Sequence, residues 1–212
     1  IFSAKSACTN VLIWFLTQIG HHRTARDFHR WPHRYRTDVY YASKLYRDAL
    51  CRDFSEFKVI RVVRDPFERA ASSFRHAVGF DFADRSINWK IGRRDMERDG
   101  LSFSEFLGFL ERINLQDCDP HFAIQRHPLE DSLKPDYLIN VSRENLFARL
   151  NEIEAELKLA PTSLQDNPWI RRLRYRDQPT HALDDCEAIY TRRLTREAAR
   201  RVDTSSASAR RS

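Results

Sequence analysis

Lys5, Ser6, Thr9 and Asn10 fall in one short polar turn between the apolar pair Ile1 and Phe2 and the apolar run Val11 to Leu16. A turn leading from a strand into a helix presents unbonded backbone N–H groups and the positive end of the helix dipole, a combination that binds anions. Lys5 adds a mobile cation and Thr9 a hydroxyl. A nucleoside-triphosphatase loop of the form G-x-x-x-x-G-K-[ST] needs glycines for close backbone approach, and this turn has none, so a different phosphate-like group is expected. A second basic group stands in RVVRDPFERAASSF, Arg61 to Phe74, where Arg69, Ser72 and Arg75 recur on one helix face and Arg64 ends the preceding apolar run. Between the two lies HHRTARDFHRWPHRYR, with four histidines, His21, His22, His29 and His33, the side-chain type best suited to accept a proton near neutrality.

The elements that must position these groups follow from patterning. Asn10 to Ile19 is apolar nearly all round and predicts a helix packed between other elements, ended by Gly20. Pro32 predicts a loop with short helical turns over His21 to Arg36. Thr37 to Asp53 predicts a helix burying Tyr41, Leu45 and Leu50. Lys58 to Val63 predicts a parallel strand covered on both faces. Asp65 is expected to cap a helix with Pro66 at its first position and Glu68 at its third, turning Phe67, Ala70, Ala71 and Phe74 to the core. Ala77 to Gly100 lacks periodicity and is expected to be an irregular insertion over the active face, in which Trp89 and Lys90 could stack on and pair with an acidic sugar. Ser102 with Glu105 predicts a capping box and Leu101 with Phe106 a hydrophobic staple, with Phe103, Phe106, Leu107 and Leu110 facing inward. Tyr137 to Val141 predicts a strand, and Ser142 the cap of a helix striped by Leu146, Leu150, Ile153 and Leu157. Arg171, Arg172, Arg174 and Arg176 form a basic cluster, Ala182 to Val202 predicts a last helix, and Asp203 to Ser212 a disordered tail.

The 212 residues suffice for one domain over 1–202 with a substantial core. No apolar run approaches the roughly 20 residues that span a bilayer, so no membrane span is expected. Ile1 is not an initiator methionine and the first strand is short, which predicts a truncated N-terminus and leaves room for a lost targeting segment or anchor. Four dispersed cysteines without C-x-x-C spacing fit free thiols in a reducing compartment. The net charge is +6, and all but six of the 36 basic residues are arginine, the side chain suited to bidentate grips on phosphate and sulfate. An anionic partner is therefore expected; charge alone admits a nucleotide, a sulfated glycan or RNA.

Taken together, the turn and the Arg64-Asp65-Pro66-x-x-Arg69-x-x-Ser72 segment resemble the carbohydrate sulfotransferase superfamily. In that family a Lys-x-x-x-Thr loop, here Lys5 and Thr9, holds the 5′-phosphosulfate of 3′-phosphoadenosine 5′-phosphosulfate (PAPS), and the later segment, here Arg64 and Ser72, holds its 3′-phosphate. The resemblance implies an α/β, three-layer P-loop-like fold with a central parallel sheet flanked by helices. It also implies transfer of a sulfuryl group to a hydroxyl of a carbohydrate or other small molecule, without a metal. The donor site would comprise Lys5, Ser6, Ala7, Cys8, Thr9, Asn10, Arg64 and Ser72, with the amides of Ala7 to Asn10 on the 5′-phosphate. The base would be His29, in a Phe28-His29 pair resembling that of bacterial relatives, or else His33, with Lys5 neutralising the leaving group. DPHFAIQ, Asp119 to Gln125, resembles the family's Asp-x-His-aromatic-x-x-Gln element, in which His121 could meet acceptor or donor. NVSRENL resembles its Gly-x-x-Glu-Asn-Leu turn, with Glu144 orienting loops near the donor. Departures are Ala4 for proline, Phe122 for tryptophan and the absence of a Tyr-rich closing segment. A bacterial cytoplasm would suit the arginine-rich composition and the donor, and no nucleic acid partner is expected. Two other readings stay open: a kinase-like phosphoryl transferase, against which stand the missing glycines and the lack of an evident Mg²⁺ carboxylate, and an arginine-rich RNA or polyanion binder.

Overall fold

A computed structural model describes residues 4–92, 95–126, 130, 133–173 and 186–191. From the N-terminus run α1 (Cys8–Gln18), α2 (His22–Phe28), α3 (Pro32–Tyr35), α4 (Lys44–Leu50), β1 (Ile60–Val63) and α5 (Pro66–Gly79). There follow α6 (Asp84–Ile91), α7 (Phe103–Leu110), β2 (Tyr137–Asn140), α8 (Leu146–Glu156) and α9 (Pro168–Leu173). The fold is thus mixed helix and sheet, and the described residues hold one parallel sheet of two strands. The chain forms two compact units, one of Ile1–Asp65 with Gln125–Arg174, the other of Pro66–Ile124 with Tyr175–Ser212.

The first unit is built around α1. Its side chains Val11, Leu12, Ile13, Trp14 and Leu16 are buried with Tyr35, Val62, Ile139, Leu150, Ile153 and Ile170. Gly20, at φ 75°, ends it as predicted: the Gly20 N–H bonds to Thr17 O and the His21 N–H to Leu16 O, the paired bonds of a Schellman cap. At the other end of that core, β1 and β2 pair in register Ile60 with Tyr137 through Val63 with Asn140. Val62 and Ile139 are buried, but Leu138 is 53% exposed, so the sheet has one covered face here rather than the two expected of a continuous apolar run. Glu154 of α8 is 3% exposed and accepts from Trp14 Nε1, Gln18 Nε2, and the amide and hydroxyl of Thr162, clamping the second half of α1 to α8.

His21 to Arg36 is more helical than its proline suggested, because Pro32 takes the first position of α3, where its missing N–H is not needed. A π-helical turn, Arg36–Tyr40, then adds a residue per turn and breaks the 3.6-residue phase. Ser43 is then extended and α4 starts anew at Lys44 with no buried residue, so Tyr41, Leu45 and Leu50, expected to share a buried stripe of one helix, are 43%, 48% and 53% exposed. Ser142 does not cap α8. Its hydroxyl accepts from the Asp65 amide, while the Asn145 carboxamide oxygen takes the Phe147 and Ala148 amides as the true cap.

The second unit packs aromatic rings. Phe74, Phe106, Phe109 and Phe122 form its centre with Ala77, Ile87, Met96 and Leu101. The Ser102–Glu105 capping box is present in both directions, at 3.1 and 3.0 Å. Leu101 and Phe106 are buried as the staple requires, whereas Leu107 faces out. Phe67 is exposed, since the packed stripe of α5 begins a turn later with Ala71 and Phe74. The segment expected to be an irregular insertion holds α6, whose one fully buried side chain, Ile87, leaves little periodicity to read. Part of the predicted final helix is instead a turn at 186–187 and an antiparallel bridge, Tyr190 with Leu101; the rest of it, the tail, the Ile1–Ser3 strand, Arg174 and Arg176 lie outside the described residues. All four cysteines are free thiols. Among the described residues no helix is long and apolar enough to cross a membrane.

Candidate functional site

The turn before α1 carries its polar groups on unusual backbone. Lys5 has φ 67° and Ala7 φ 57°, both left-handed and neither glycine, a conformation that costs about 1–2 kcal/mol per residue. Alternating hand along consecutive residues turns successive N–H groups to one side as an anion-binding nest. The amides of Ser6, Ala7, Cys8 and Thr9 have no acceptor among the described residues. Asn10 differs from its expected role, because its amide is taken by Ala7 O at 3.0 Å as α1 begins. The available donors are therefore displaced one residue toward the N-terminus.

Gln125 holds this turn. Its Oε1 accepts from the fully buried Ser6 hydroxyl at 2.7 Å and from the Arg64 amide at 2.9 Å, while its Nε2 donates to Arg64 O at 2.7 Å. Arg64 follows β1 directly, and its Nη1 donates to Lys5 O at 3.4 Å. The two motifs, some sixty residues apart in sequence, thus meet at the carboxyl end of β1, the edge at which open α/β sheets bind ligands. Asp65, the next residue, is tied to the loop after β2 through Ser142, and that loop is closed by Glu144 accepting from Asn140 N at 2.9 Å and pairing with Arg149 at 3.2 Å. Glu144 orders this edge through its own loop.

The four histidines separate by environment. His33, on α3, places Nε2 3.1 Å from Thr9 Oγ1 and 3.9 Å from Cys8 Sγ, against the first turn of α1. His29 is exposed at the end of α2, where Nδ1 accepts the Trp31 amide at 3.0 Å. His21 bonds Tyr35 through Nδ1, and His22 meets Asn167 and packs edge-on to Trp169. Burial, helped by the Arg26 charge, holds the His22 ring below the usual histidine range. Of the two expected bases, His33 is the one set at the turn. Ser72 is half-buried on α5 in the second unit, and its hydroxyl has no hydrogen-bond partner among the described residues. Trp89 is exposed on α6, and Arg171 pairs with Asp166 at 2.7 Å. Among the described residues no three His, Cys, Asp or Glu side chains are grouped to hold a metal ion.

Gln125 is the residue that sequence reasoning missed. Its signal was its place at the end of DPHFAIQ, but nothing local says that its side chain reaches both Ser6 and Arg64. Comparison with protein-family models, with curated proteins and with solved structures gives no match for this chain.

Proposed function

We propose that the chain is a sulfotransferase that moves a sulfuryl group from PAPS to a hydroxyl of a carbohydrate or other small molecule, on a three-layer P-loop-like fold. The observation that carries the reading is the bridging of Ser6 and Arg64 by Gln125, with Arg64 Nη1 on Lys5 O, which brings the Arg64 guanidinium and the Lys5 turn, with four amides that have no acceptor among the described residues, to one strand end. Fixed N–H donors of this kind match a phosphosulfate better than a mobile set of lysines would, because they need no reorganisation as charge develops.

In this reading the amides of Ser6 to Thr9 hold the 5′-phosphate, and Arg64 takes the phosphate at the other end of the nucleotide. The acceptor oxygen attacks sulfur in line, the bond from sulfur to the bridging phosphate oxygen breaks, and adenosine 3′,5′-bisphosphate departs with the charge on that oxygen neutralised by Lys5. The acceptor proton passes to a histidine. His33 is the better placed of the two expected bases, since it already bonds Thr9 in the donor turn. A cytoplasmic supply of the donor would suit the protein.

Calorimetric titration of adenosine 3′,5′-bisphosphate into the full chain tests the reading. Binding is expected with and without EDTA, weakened about ten- to a hundredfold by Lys5→Ala or Arg64→Ala, the loss of one charge-assisted contact. Single-turnover measurements should then show His33→Ala inactive with donor affinity near wild type, and His29→Ala active. Absence of bisphosphate binding would overturn the proposal. RNA binding that falls steeply with salt and survives Lys5→Ala would point to a polyanion binder instead.

A further inference from the structure

The first unit carries a surface that the anion turn does not use. Residues 21–52 hold eight Lys or Arg side chains against three Asp. Each Asp is already engaged: Asp27 lies 3.8 Å from Arg23 and 3.0 Å from Arg26, Asp38 3.2 Å from Arg34, and Asp48 2.6 Å from Lys44. Arg30, Arg47 and Arg52 are exposed and have no carboxylate partner among the described residues. Positive charge is therefore left over for something outside the chain.

Large apolar side chains share this surface. The side chain that fastens α4 is Tyr46, its ring 5.3 Å from the buried Tyr40 and 4.7 Å from Tyr41, and α4 itself buries no residue. Leu45 and Leu50 consequently face away from the core, and beyond them every residue from 51 to 58 is exposed, including the neighbouring rings of Phe54 and Phe57. The Arg36 guanidinium lies 5.6 Å over the Tyr41 ring, and Arg47 donates to Ala42 O beside it. Cations and apolar groups thus alternate over residues 36–57, as they do on segments that lie in the headgroup region of a bilayer.

Charge decides what covers this face. A second copy would set like charge against like, and so would the chain's own residues 192–212, with seven Arg against one Glu and one Asp. Single-stranded nucleic acid satisfies the arginines, but it stacks on aromatic rings and gains little from two exposed leucines. An anionic lipid surface satisfies both: phosphate and carboxylate headgroups for the guanidinium forks, acyl chains for Leu45 and Leu50.

We propose that α4 and the residues flanking it dock the first unit on an anionic bilayer. Leu45, Leu50, Phe54 and Phe57 enter at the level of the headgroups and upper acyl chains, Arg47 and Arg52 pair with lipid headgroups, and the remaining charge of residues 21–52 strengthens the approach. Docking of this kind is peripheral and reversible, and it does not depend on the nucleotide site.

Co-sedimentation of the full chain with vesicles tests the proposal. Partition is expected onto phosphatidylcholine vesicles holding about 30% phosphatidylserine, about tenfold or more weaker onto phosphatidylcholine alone, and falling as salt rises from about 0.1 M to about 0.5 M. Leu45→Ser with Leu50→Ser should lower it about tenfold or more with the salt dependence kept. Arg47→Gln with Arg52→Gln should lower it about tenfold or more and make the salt dependence shallower. Both double variants replace exposed side chains, so their melting temperature and their affinity for adenosine 3′,5′-bisphosphate should match wild type. Equal partition onto neutral and charged vesicles, or no response to the leucine pair, overturns the proposal. So does binding of single-stranded RNA that the arginine pair abolishes and the leucine pair leaves alone, or a dimer that the leucine pair dissolves, when either occurs without vesicle partition. Absence of bisphosphate binding in wild type sinks the sulfotransferase reading and leaves this one standing, whereas bisphosphate binding without vesicle partition does the reverse.

Discussion

Replacing Gln125 by alanine isolates what holds the anion turn in its strained shape. Three hydrogen bonds disappear, two to Arg64 backbone groups and one to the fully buried Ser6 hydroxyl. At about 1 kcal/mol net for each, the loss is roughly 3 kcal/mol, and more where Ser6 finds no water. Against this stands the cost of two left-handed residues, Lys5 and Ala7, together about 2–4 kcal/mol. The two quantities are of one size, so without the clasp the turn loses its reason to keep both residues at positive φ. The variant should melt about 6–12 °C lower, given roughly 2–4 °C per kcal/mol for a chain of this length, and should bind adenosine 3′,5′-bisphosphate at least tenfold more weakly. Gln125→Glu keeps two acceptors but sets a carboxylate oxygen against Arg64 O and a negative charge beside the turn, so its affinity should suffer more than its stability. Ala7→Gly supplies the internal control, since glycine adopts φ near +57° without strain. Placed in the Gln125→Ala background it should recover about 1 kcal/mol, measured by denaturant titration as a double-mutant cycle. A Gln125→Ala protein that melts within a degree of wild type, or an Ala7→Gly change that gives no recovery, would falsify the account of the clasp.

Three further outcomes follow from groups elsewhere in the chain. Glu154→Ala leaves Trp14 Nε1 and the Thr162 amide and hydroxyl without their shared acceptor and should destabilise by about 3 kcal/mol or more, read by chemical denaturation. Gly100 has φ 66°, and a Cβ there would meet Ile189 Cγ2 at 2.7 Å and Tyr190 O at 2.9 Å; Gly100→Ala should therefore destabilise by roughly 1–3 kcal/mol and disrupt the Leu101–Tyr190 bridge, visible as faster amide exchange of those two residues. Burial lowers the His22 pKa below 6.5 in the folded chain, so the unfolded chain binds more protons as pH falls through that value and stability declines from there toward the folded pKa; His22→Gln should flatten that acid-side slope in melts at pH 5 to 7.

Elements that announce themselves through neighbours in sequence were legible. Ser102 and Glu105 are three residues apart and cap the same turn, Gly20 sits where a left-handed residue is needed, and Val59 to Pro66 reads as strand then helix start. Failures share a cause. The π turn at Arg36–Tyr40 and the extended Ser43 split the expected Thr37–Asp53 helix with no Gly or Pro to signal it, so Tyr41, Leu45 and Leu50 do not share the face that one continuous 3.6 period gives them. Ser142 and Asn145 are both good caps, and the choice between them was made by Asp65, more than seventy residues away, whose amide takes the Ser142 hydroxyl. Selection among the histidines was illegible for the same reason, because only the packing of α3 on α1 distinguishes His33 from His29.

The contacts that shape the anion turn all fall within the first unit: Gln125 on Ser6, Arg64 on Lys5, His33 on Thr9, and Glu154 on the far half of α1. A helix held at its far half by Glu154 and just ahead of its first turn by Gln125 on Ser6 keeps the N–H groups of that turn aimed in one direction. Preorganisation of that kind is what stabilising charge on a bound anion requires, because the donors must already be in place when the charge develops.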